Sequence, residues 1–277
     1  MCHLAASIEI ICVGNELLIG KTMNTNAHWL AKRVTSLGLS ARRIMVVGDD
    51  VNEISDVIRE AIQRSPDFIL TSGGLGPTFD DVTLEGLSKG LGRRLQKNDE
   101  ALRMVREKYR KYVEEGRMRR VELTPPRVKM AKLPQGAEPL PNPVGTAPGV
   151  LVATDSLTIM ALPGVPSEMK AIFDESALPI LKKAAGDTIF FETSIEATGV
   201  MESELAPFIA RAMHDNPYVY IKSHPKGEER IHRIEFHLST TAKDTKVARK
   251  RVGKALLQLS ETIMERGGRI NPAKTKS

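Results

Sequence analysis

The chain has 277 residues, of which 41% are hydrophobic and 27% charged, an ordinary balance for folded domains that argues against disorder and coiled coil. At roughly 150 residues per domain this length predicts two domains, and no apolar run approaches the roughly 18 residues of a membrane span. The net charge of +6 is local: 14 Lys or Arg stand against 6 Asp or Glu between residues 91 and 133, leaving the remainder at −2. With only Tyr109 and Tyr112 interleaved, that segment reads as a solvated helix in preference to a nucleic-acid surface. Two cysteines, Cys2 and Cys12, exclude a disulfide framework, and Cys12 falls in an apolar run as a small core residue. The first residues lack the basic start of a secretory signal, which predicts a cytoplasmic protein.

Residues 8–13 form a short β-branched strand that Gly14 ends, and residues 26–37 follow with helical spacing of Ala27, Leu30, Ala31 and Val34. A second strand over 39–47 stops at Gly48, and Asp50 with Glu53 makes a capping-box pattern ahead of Ile54, Val57, Ile58, Ala61 and Ile62. A third strand, 67–71, runs into the loop 72–79 and a helix from about 80 to 89. Alternation with connections this short predicts an α/β fold: three layers, with a mostly parallel sheet covered by helices on both faces. Asn98 is the predicted N-cap of a long basic helix reaching about residue 115. The proline- and glycine-rich segment 139–149 is predicted to be irregular, leading into strands at 150–153 and 157–162 and then a helix over 167–183.

Gly186 and Asp187 mark the predicted boundary between a 1–186 domain and a smaller α+β domain, 187–277. There the pattern reads strand 189–197, helix 202–213, strands 218–222 and 230–238, and helix 243–266. In the last strand Ile234, Phe236 and Leu238 alternate with Arg233, Glu235 and His237, which suits an open sheet with helices on one face. Residues 274–277 are expected to be disordered.

Three polar, glycine-bearing loops follow predicted strands, and in an open parallel sheet ligands bind outside the carboxyl ends of the strands. The three are therefore expected to converge. The first, residues 14–26, places Glu16 beside the amides of Asn24 and Asn26. The second, Ser72-Gly73-Gly74-Leu75-Gly76-Pro77-Thr78-Phe79-Asp80-Asp81, brings backbone N–H groups and the start of a helix to one place, a setting for a phosphate. Asp80 and Asp81 beside it are candidate ligands of a hard divalent cation bridging phosphate oxygens, although one of them also reads as a helix cap. The third couples Asn142, Gly145 and Thr146 to Pro163, Gly164 and Glu168 as two rigid walls of a pocket. The glycine loop has neither the Lys-Ser/Thr of a Walker A sequence nor GxGxxG, which argues against an ATPase P-loop and a dinucleotide fold. No G-x-S-x-G elbow is present, the six histidines show no zinc-ligand spacing, His28 reads as a surface helix residue and Trp29 as a core anchor.

Taken together, GNELLIGKTMNTNAHWLA, VGDD, SGGLGPTFDDVT, NPVGTAPG and LPGVPSEM resemble, in order and spacing, the N-terminal region of CinA (competence/damage-inducible protein A), whose core looks like the molybdopterin-binding domain of the MoaB/MogA group. The resemblance covers about residues 8–185, and residues 187–268 are similar to the smaller α+β module that follows in CinA proteins. The matched segments stop before the nicotinamide mononucleotide deamidase region of longer members, so deamidase activity is not expected. The resemblance implies a nucleotide diphosphate hydrolase that splits ADP-ribose into AMP and ribose 5-phosphate with a divalent metal, magnesium or cobalt. On that reading Gly73, Gly74, Leu75 and Gly76 supply donors to the diphosphate, with Ser72 and Thr78 beside them. Asp80, Asp81 and Glu16 hold the metal or orient the water, Asp80 and Asp81 being the metal ligands. Asn24, Asn26, Asn142, Thr146, Gly164 and Glu168 hold ribose and base, with Gly145 and Pro163 in the same walls. Cleaving a P–O–P bond requires the charge neutralisation that N–H donors and a metal provide. Asn15 stands where many members carry an acidic residue, which shifts that burden to Glu16 and the aspartate pair.

One alternative is a molybdopterin-binding protein or adenylyltransferase of molybdenum cofactor biosynthesis, with a pterin phosphate on the same glycine loop. Leu75 stands where that group often has Thr, and the GPTxDD continuation is more CinA-like. A second alternative, a nucleic-acid-binding protein, would use the basic helix and the small domain, whose element order looks somewhat like a KH fold. That domain contains no G-x-x-G loop, so a nucleic-acid partner is not expected. The resemblance also implies a homo-oligomer.

Overall fold

The computed structural model describes residues 5–226 and 233–272. The chain divides into two compact units, one comprising Met1–Thr35 with Leu39–Gly186, the other Ser36–Gly38 with Asp187–Ser277.

In chain order the first unit runs β1 (Ser7–Val13), the short helix α1 (Asn15–Leu18), α2 (Thr25–Ser36), β2 (Ser40–Val47), α3 (Val51–Gln63), β3 (Phe68–Ser72), α4 (Thr83–Gly90), β4 (Leu95–Lys97), α5 (Asp99–Glu114), α6 (Pro125–Lys129), β5 (Lys132–Pro134), β6 (Glu138–Leu140), β7 (Gly149–Ala153), β8 (Thr158–Leu162), α7 (Pro166–Ile172) and α8 (Leu178–Ala185). Its main sheet has the order β2-β1-β3-β8-β7-β6, while β4 and β5 pair separately. β2, β1, β3 and β8 are parallel; β7 runs antiparallel to β8, and β6 antiparallel to β7. The sheet is mostly but not wholly parallel for a geometric reason. β7 and β8 are joined by a turn that Thr154 N–H closes onto the Leu157 carbonyl at 2.9 Å, far too short for a parallel crossover. Segment 139–149, predicted irregular, gives Pro139 to β6, an edge strand whose unpaired side tolerates a residue without an N–H.

Every residue of β1 is buried, as a central strand covered on both sides requires. Ile11, Val13, Ile69, Ile159 and Ala161 pack into one core with Ile54 and Ile58 of α3, Leu84 and Leu87 of α4 and Val105 of α5. The alternate residues Ile8, Ile10, Phe68, Leu70 and Met160 point the other way by the two-residue period and are equally buried, as are Leu30 and Val34 of α2 and Met169 and Ile172 of α7. Each such aliphatic side chain contributes about 1.5–3 kcal/mol relative to exposure. Trp29 is half-buried and meets Phe173 edge to face, ring centroids 5.1 Å apart.

The caps of α3 and α5 form as expected: Asp50 accepts from the N–H groups of Asn52 and Glu53 at 2.7 and 3.0 Å, and Asn98 from that of Ala101 at 2.9 Å. The helix predicted over 167–183 is interrupted between α7 and α8 by a π-helical turn, Phe173–Ala177. Pro179 accounts for it, because proline has no N–H for the carbonyl four residues back and its ring crowds that position. Cys12 is buried; Cys2 lies outside the described residues. Among the described residues no helix is long and apolar enough to cross a membrane.

The second unit runs β9 (Ile189–Thr198), α9 (Glu202–Asp215), β10 (Tyr220–Lys226), β11 (Arg233–Ala242), α10 (Thr245–Glu265) and β12 (Arg269–Pro272), with an antiparallel sheet in the order β10-β11-β9-β12. This β-α-β-β-α-β connectivity is that of a ferredoxin-like split βαβ unit, which replaces the KH-like order expected from sequence. Ile234, Phe236 and Leu238 are buried with Leu205 and Ile209 of α9 and Val252, Leu259 and Ile263 of α10, on the face the alternation indicated. Positions 230–232 of the predicted strand and the tail at 274–277 lie outside the described residues.

One charge interrupts the apolar β1. Glu9 is 2% exposed, and Arg64 at the end of α3 grips both its carboxylate oxygens, Nε to Oε1 at 2.9 Å and Nη2 to Oε2 at 2.7 Å. This pairing pushes the Arg64 guanidinium above its ordinary value. Arg43, more exposed, lies 3.6 Å from Glu9 Oε1, so Arg64→Met leaves the buried carboxylate with this one longer ion pair; the change is expected to cost about 2–3 kcal/mol in urea titrations, most of which Glu9→Leu in the same chain restores.

Candidate functional site

β1, β3 and β8 end side by side, and the loops that follow them meet at Gly73. Its N–H donates to the Leu162 carbonyl at 3.0 Å, its φ is +113°, and a Cβ there would stand 2.1 Å from the Val13 carbonyl oxygen. Gly74 follows at φ +66°, a second left-handed position that suits glycine. Thr83 fastens the reversal, its hydroxyl donating to the Gly73 carbonyl at 2.8 Å and its N–H to the Gly74 carbonyl at 3.2 Å. From the first loop, Asn26 Nδ2 donates to Ser72 Oγ at 2.9 Å and to the Gly164 carbonyl at 2.7 Å; Ser72 Oγ in turn donates to the Pro163 carbonyl at 3.3 Å. Asn26, Ser72, Gly73, Pro163 and Gly164 are thus brought together from all three loops.

Beside this crossing lies a cleft of about 100 Å³ lined by Cys12, Glu16, Asn24, Asn26, Ser72 and Gly164 among others. Asn24 Oδ1 accepts from the Ala27 N–H at 3.0 Å. Asn26 Oδ1 is buried and has no donor among the described residues, and the amide cannot be turned over to cure this because Nδ2 faces a carbonyl. An acceptor left so costs about 1–3 kcal/mol. Burial pushes the Cys12 thiol up, partly offset by a hydrogen bond with Asn24, so the sulfur is a neutral wall of the cleft and not a nucleophile. Asn15 and Asp49 join across the first loop, the Asn15 N–H donating to Asp49 Oδ2 at 2.8 Å; an acidic residue in place of Asn15 would oppose that carboxylate. His28 is exposed, as its helix position predicted.

Thr78 organises the acidic pair. Its N–H donates to Asp81 Oδ2 at 2.8 Å, and its hydroxyl lies 2.5 Å from Asp80 Oδ1 and also meets Asp81 Oδ2. One hydroxyl hydrogen cannot serve both carboxylates at once. Lys129 Nζ donates to the Thr78 carbonyl. The Thr78 hydroxyl, with lesser help from the Asp80 N–H and Lys129, holds the Asp80 carboxyl below its usual range. Because both aspartates serve this turn, neither caps a helix: α4 begins at Thr83, past the predicted start at 80, with no side-chain cap.

The N–H groups of Gly74, Leu75 and Gly76 have no acceptor among the described residues. Two aspartate oxygens and a hydroxyl fit a hard cation only if a bound phosphate or water completes its shell, since among the described residues no set of three or more His, Cys, Asp or Glu is gathered at ligand spacing. Glu16 lines the cleft described above, which Asp80 and Asp81 do not.

The third loop's residues gather elsewhere. Asn142 spends both ends of its amide internally, donating to Glu168 Oε2 and the Ala147 carbonyl at 2.7 Å each and accepting from the N–H groups of Val144 and Gly145 at 3.0 and 2.7 Å. The Glu168 carboxylate packs so close to Gly145 that a Cβ there would lie 1.9 Å from its Cδ. Asn142, Gly145 and Thr146, with Met104, Lys108 and Lys111 of α5, line a groove of about 230 Å³ that shares no lining residue with the Ser72 cleft. Lys108, whose Nζ donates to the Pro143 carbonyl at 2.7 Å, is pushed below its ordinary value by burial and then by Lys111. Neither lysine was singled out from sequence; the local charge excess of residues 91–133 was the available signal.

A family model described as a probable molybdopterin binding domain matches residues 9–183. A protein of Pyrobaculum arsenaticum is 46% identical over 260 residues, covering 94% of this chain and 95% of that one. Protein Ta0487 of Thermoplasma acidophilum is 38% identical over 263 residues, covering 95% and 98%. Among solved structures, the crystal structure of the protein CinA with unknown function from Thermoplasma acidophilum is 43% identical, with a TM-score of 0.58, covering 64% of this chain and 98% of that chain.

Two outcomes follow from this geometry. Gly73→Ala forces a side chain onto the Val13 carbonyl and is expected to cost about 3 kcal/mol or more in thermal unfolding, whereas Gly76→Ala costs about 1 kcal/mol, because the atoms nearest its Cβ, from 2.5 Å, belong to the end of the Asp81 side chain and not to backbone. The Thr78–Asp80 contact stabilises the folded state above the unfolded carboxyl pKa of about 3.9 and loses that effect as pH falls through the lower folded value. Thr78→Val is therefore expected to raise the Asp80 pKa in a carbon-13 NMR titration.

Proposed function

Since the chain belongs to the family of probable molybdopterin-binding domains and is CinA-like, we propose that its first unit binds a phosphorylated small molecule, a pterin phosphate by preference. The observation that carries this is the run of three N–H groups at Gly74, Leu75 and Gly76 that have no acceptor among the described residues, ahead of the uncapped α4. Backbone donors and the positive end of a helix together favour an anion. The orphaned Asn26 Oδ1 adds a place for an N–H or O–H of the ligand in the cleft beside Ser72, where Asn24 and Glu16 also stand. An adenylyltransferase would use the same cradle for a second phosphate. Homo-oligomerisation and a cytoplasmic location belong to the same proposal.

A second reading, hydrolysis of ADP-ribose to AMP and ribose 5-phosphate, draws on the aspartate pair around Thr78. Asp80 and Asp81 would hold magnesium or cobalt together with the ligand's phosphates, and the bound metal would neutralise charge on the phosphoryl oxygens. The Gly74–Gly76 N–H groups would take up the charge that grows on those oxygens as the P–O bond breaks. Asp80, kept ionised by Thr78, would hold its charge into acid solution, and Glu16 would orient the water from the cleft.

Calorimetry with neopterin phosphate and neopterin tests the cradle: the phosphate ester is expected to bind at least about tenfold tighter, as hydrogen bonds to a charged group allow. Equal affinities, or none, would remove the reading. Chromatography of ADP-ribose digests with magnesium, cobalt or EDTA tests the second reading, with AMP expected only with metal and not from Asp81→Ala.

A further inference from the structure

Phe79 is the most exposed large apolar side chain among the described residues, 92% open to water. It is not a loose tip. On one side Thr78 is tied through its N–H and hydroxyl to Asp81 and through its carbonyl to Lys129; on the other, the Asp81 N–H returns to the Thr78 carbonyl at 3.3 Å and the Val82 N–H to that of Asp80 at 2.9 Å. The turn fixes the backbone around Phe79 and holds its ring in water. Among the described residues no aromatic or cationic side chain stacks on that ring. Two residues, Pro77 and Thr78, separate it from Gly76, three Cα–Cα steps of at most about 11 Å, so it stands within a small molecule's length of the unpaired N–H groups.

We infer that Phe79 is a stacking platform for the planar heteroaromatic ring, purine or pterin, of the ligand whose phosphate rests on Gly74–Gly76. The inference rests on the phosphate-cradle reading and deepens it by assigning the ring end of the ligand. A phenyl face accepts any flat base without hydrogen-bond readout, which suits a rigid loop that offers only one ring. The competing occupant is a second copy of the chain, but a single side chain of about 150–250 Å² falls well short of the roughly 800 Å² per partner of a stable interface.

The test uses the full chain, its Phe79→Ala and Phe79→Trp variants, and calorimetry with ADP-ribose, neopterin phosphate and inorganic pyrophosphate. Phe79→Ala is expected to weaken whichever ring-bearing ligand binds by about tenfold or more, Phe79→Trp to retain it, and pyrophosphate to bind all three proteins equally. The ring-bearing ligand that loses affinity identifies purine or pterin. If pyrophosphate binds and the ring-bearing ligands lose nothing in Phe79→Ala, the cradle stands and the platform is overturned. If pyrophosphate fails to bind while a ring-bearing ligand is weakened by Phe79→Ala, the platform stands and the cradle falls. Binding of no ligand to the unmutated protein overturns both. A shift of Phe79→Ala on gel filtration with unchanged affinities overturns the platform in favour of a contact between copies.

Discussion

The absence of space at Gly73 governs the first unit. Three strands end within contact of one another there, and the Val13 carbonyl occupies the volume a side chain would need. Because the backbones touch, Leu162 can accept the Gly73 N–H, Asn26 can reach both Ser72 and Gly164, and the chain can reverse through Gly74 into α4. A methyl group at this one position would separate the strands that set the positions of the Asn26, Ser72 and Gly164 contacts. The polar residues around the crossing are consequently held by each other, and the unpaired N–H groups of the loop are fixed in place before any ligand arrives.

The acidic turn beyond the cradle works by a different economy. Thr78, Asp80 and Asp81 satisfy each other, and Lys129 supplies the nearby positive charge that offsets two carboxylates. A loop rich in glycine would ordinarily be the most mobile part of the unit; here the aspartates brace it from within. Asn142 and Glu168 do the same for the wall at Gly145, which makes both wall and turn frameworks first and ligand contacts second.

What sequence made legible was what local physics determines. Asp50 and Asn98 cap their helices because the residues that need capping lie two and three positions away, and the burial of β1 follows from its isoleucine- and valine-rich composition, broken only by Glu9 among charged residues. α4 starts later than its sequence predicts because Thr78, upstream, engages both aspartates, including the one that reads as its cap. β12 and the β4–β5 pair are only three or four residues long, and their partners are distant in sequence, so no period could reveal them; the missing β12 alone turned a ferredoxin-like order into a KH-like one. The three loops do converge at Gly73, yet Asn142, Gly145 and Thr146 line a separate groove, since which wall faces which cleft is decided by packing and not by motif. Glu9 stood out in sequence only as a break in an apolar stretch; its partner Arg64, 55 residues on, is a tertiary fact.

The pairing of β3 with β8 joins Ser72 to Leu162 across 90 residues of chain, whereas β1, β2 and β3 follow one another closely. At a synthesis rate of roughly 5–20 residues per second, β8 emerges on the order of 5–20 s after β3. Through that interval β3 carries an open edge, and the carbonyls of Leu162, Pro163 and Gly164 that complete the crossing do not yet exist. The pocket can thus close only after β8 has emerged, well after the residues of β1, β2 and β3, so no ligand can meet the completed crossing while the first three strands stand alone.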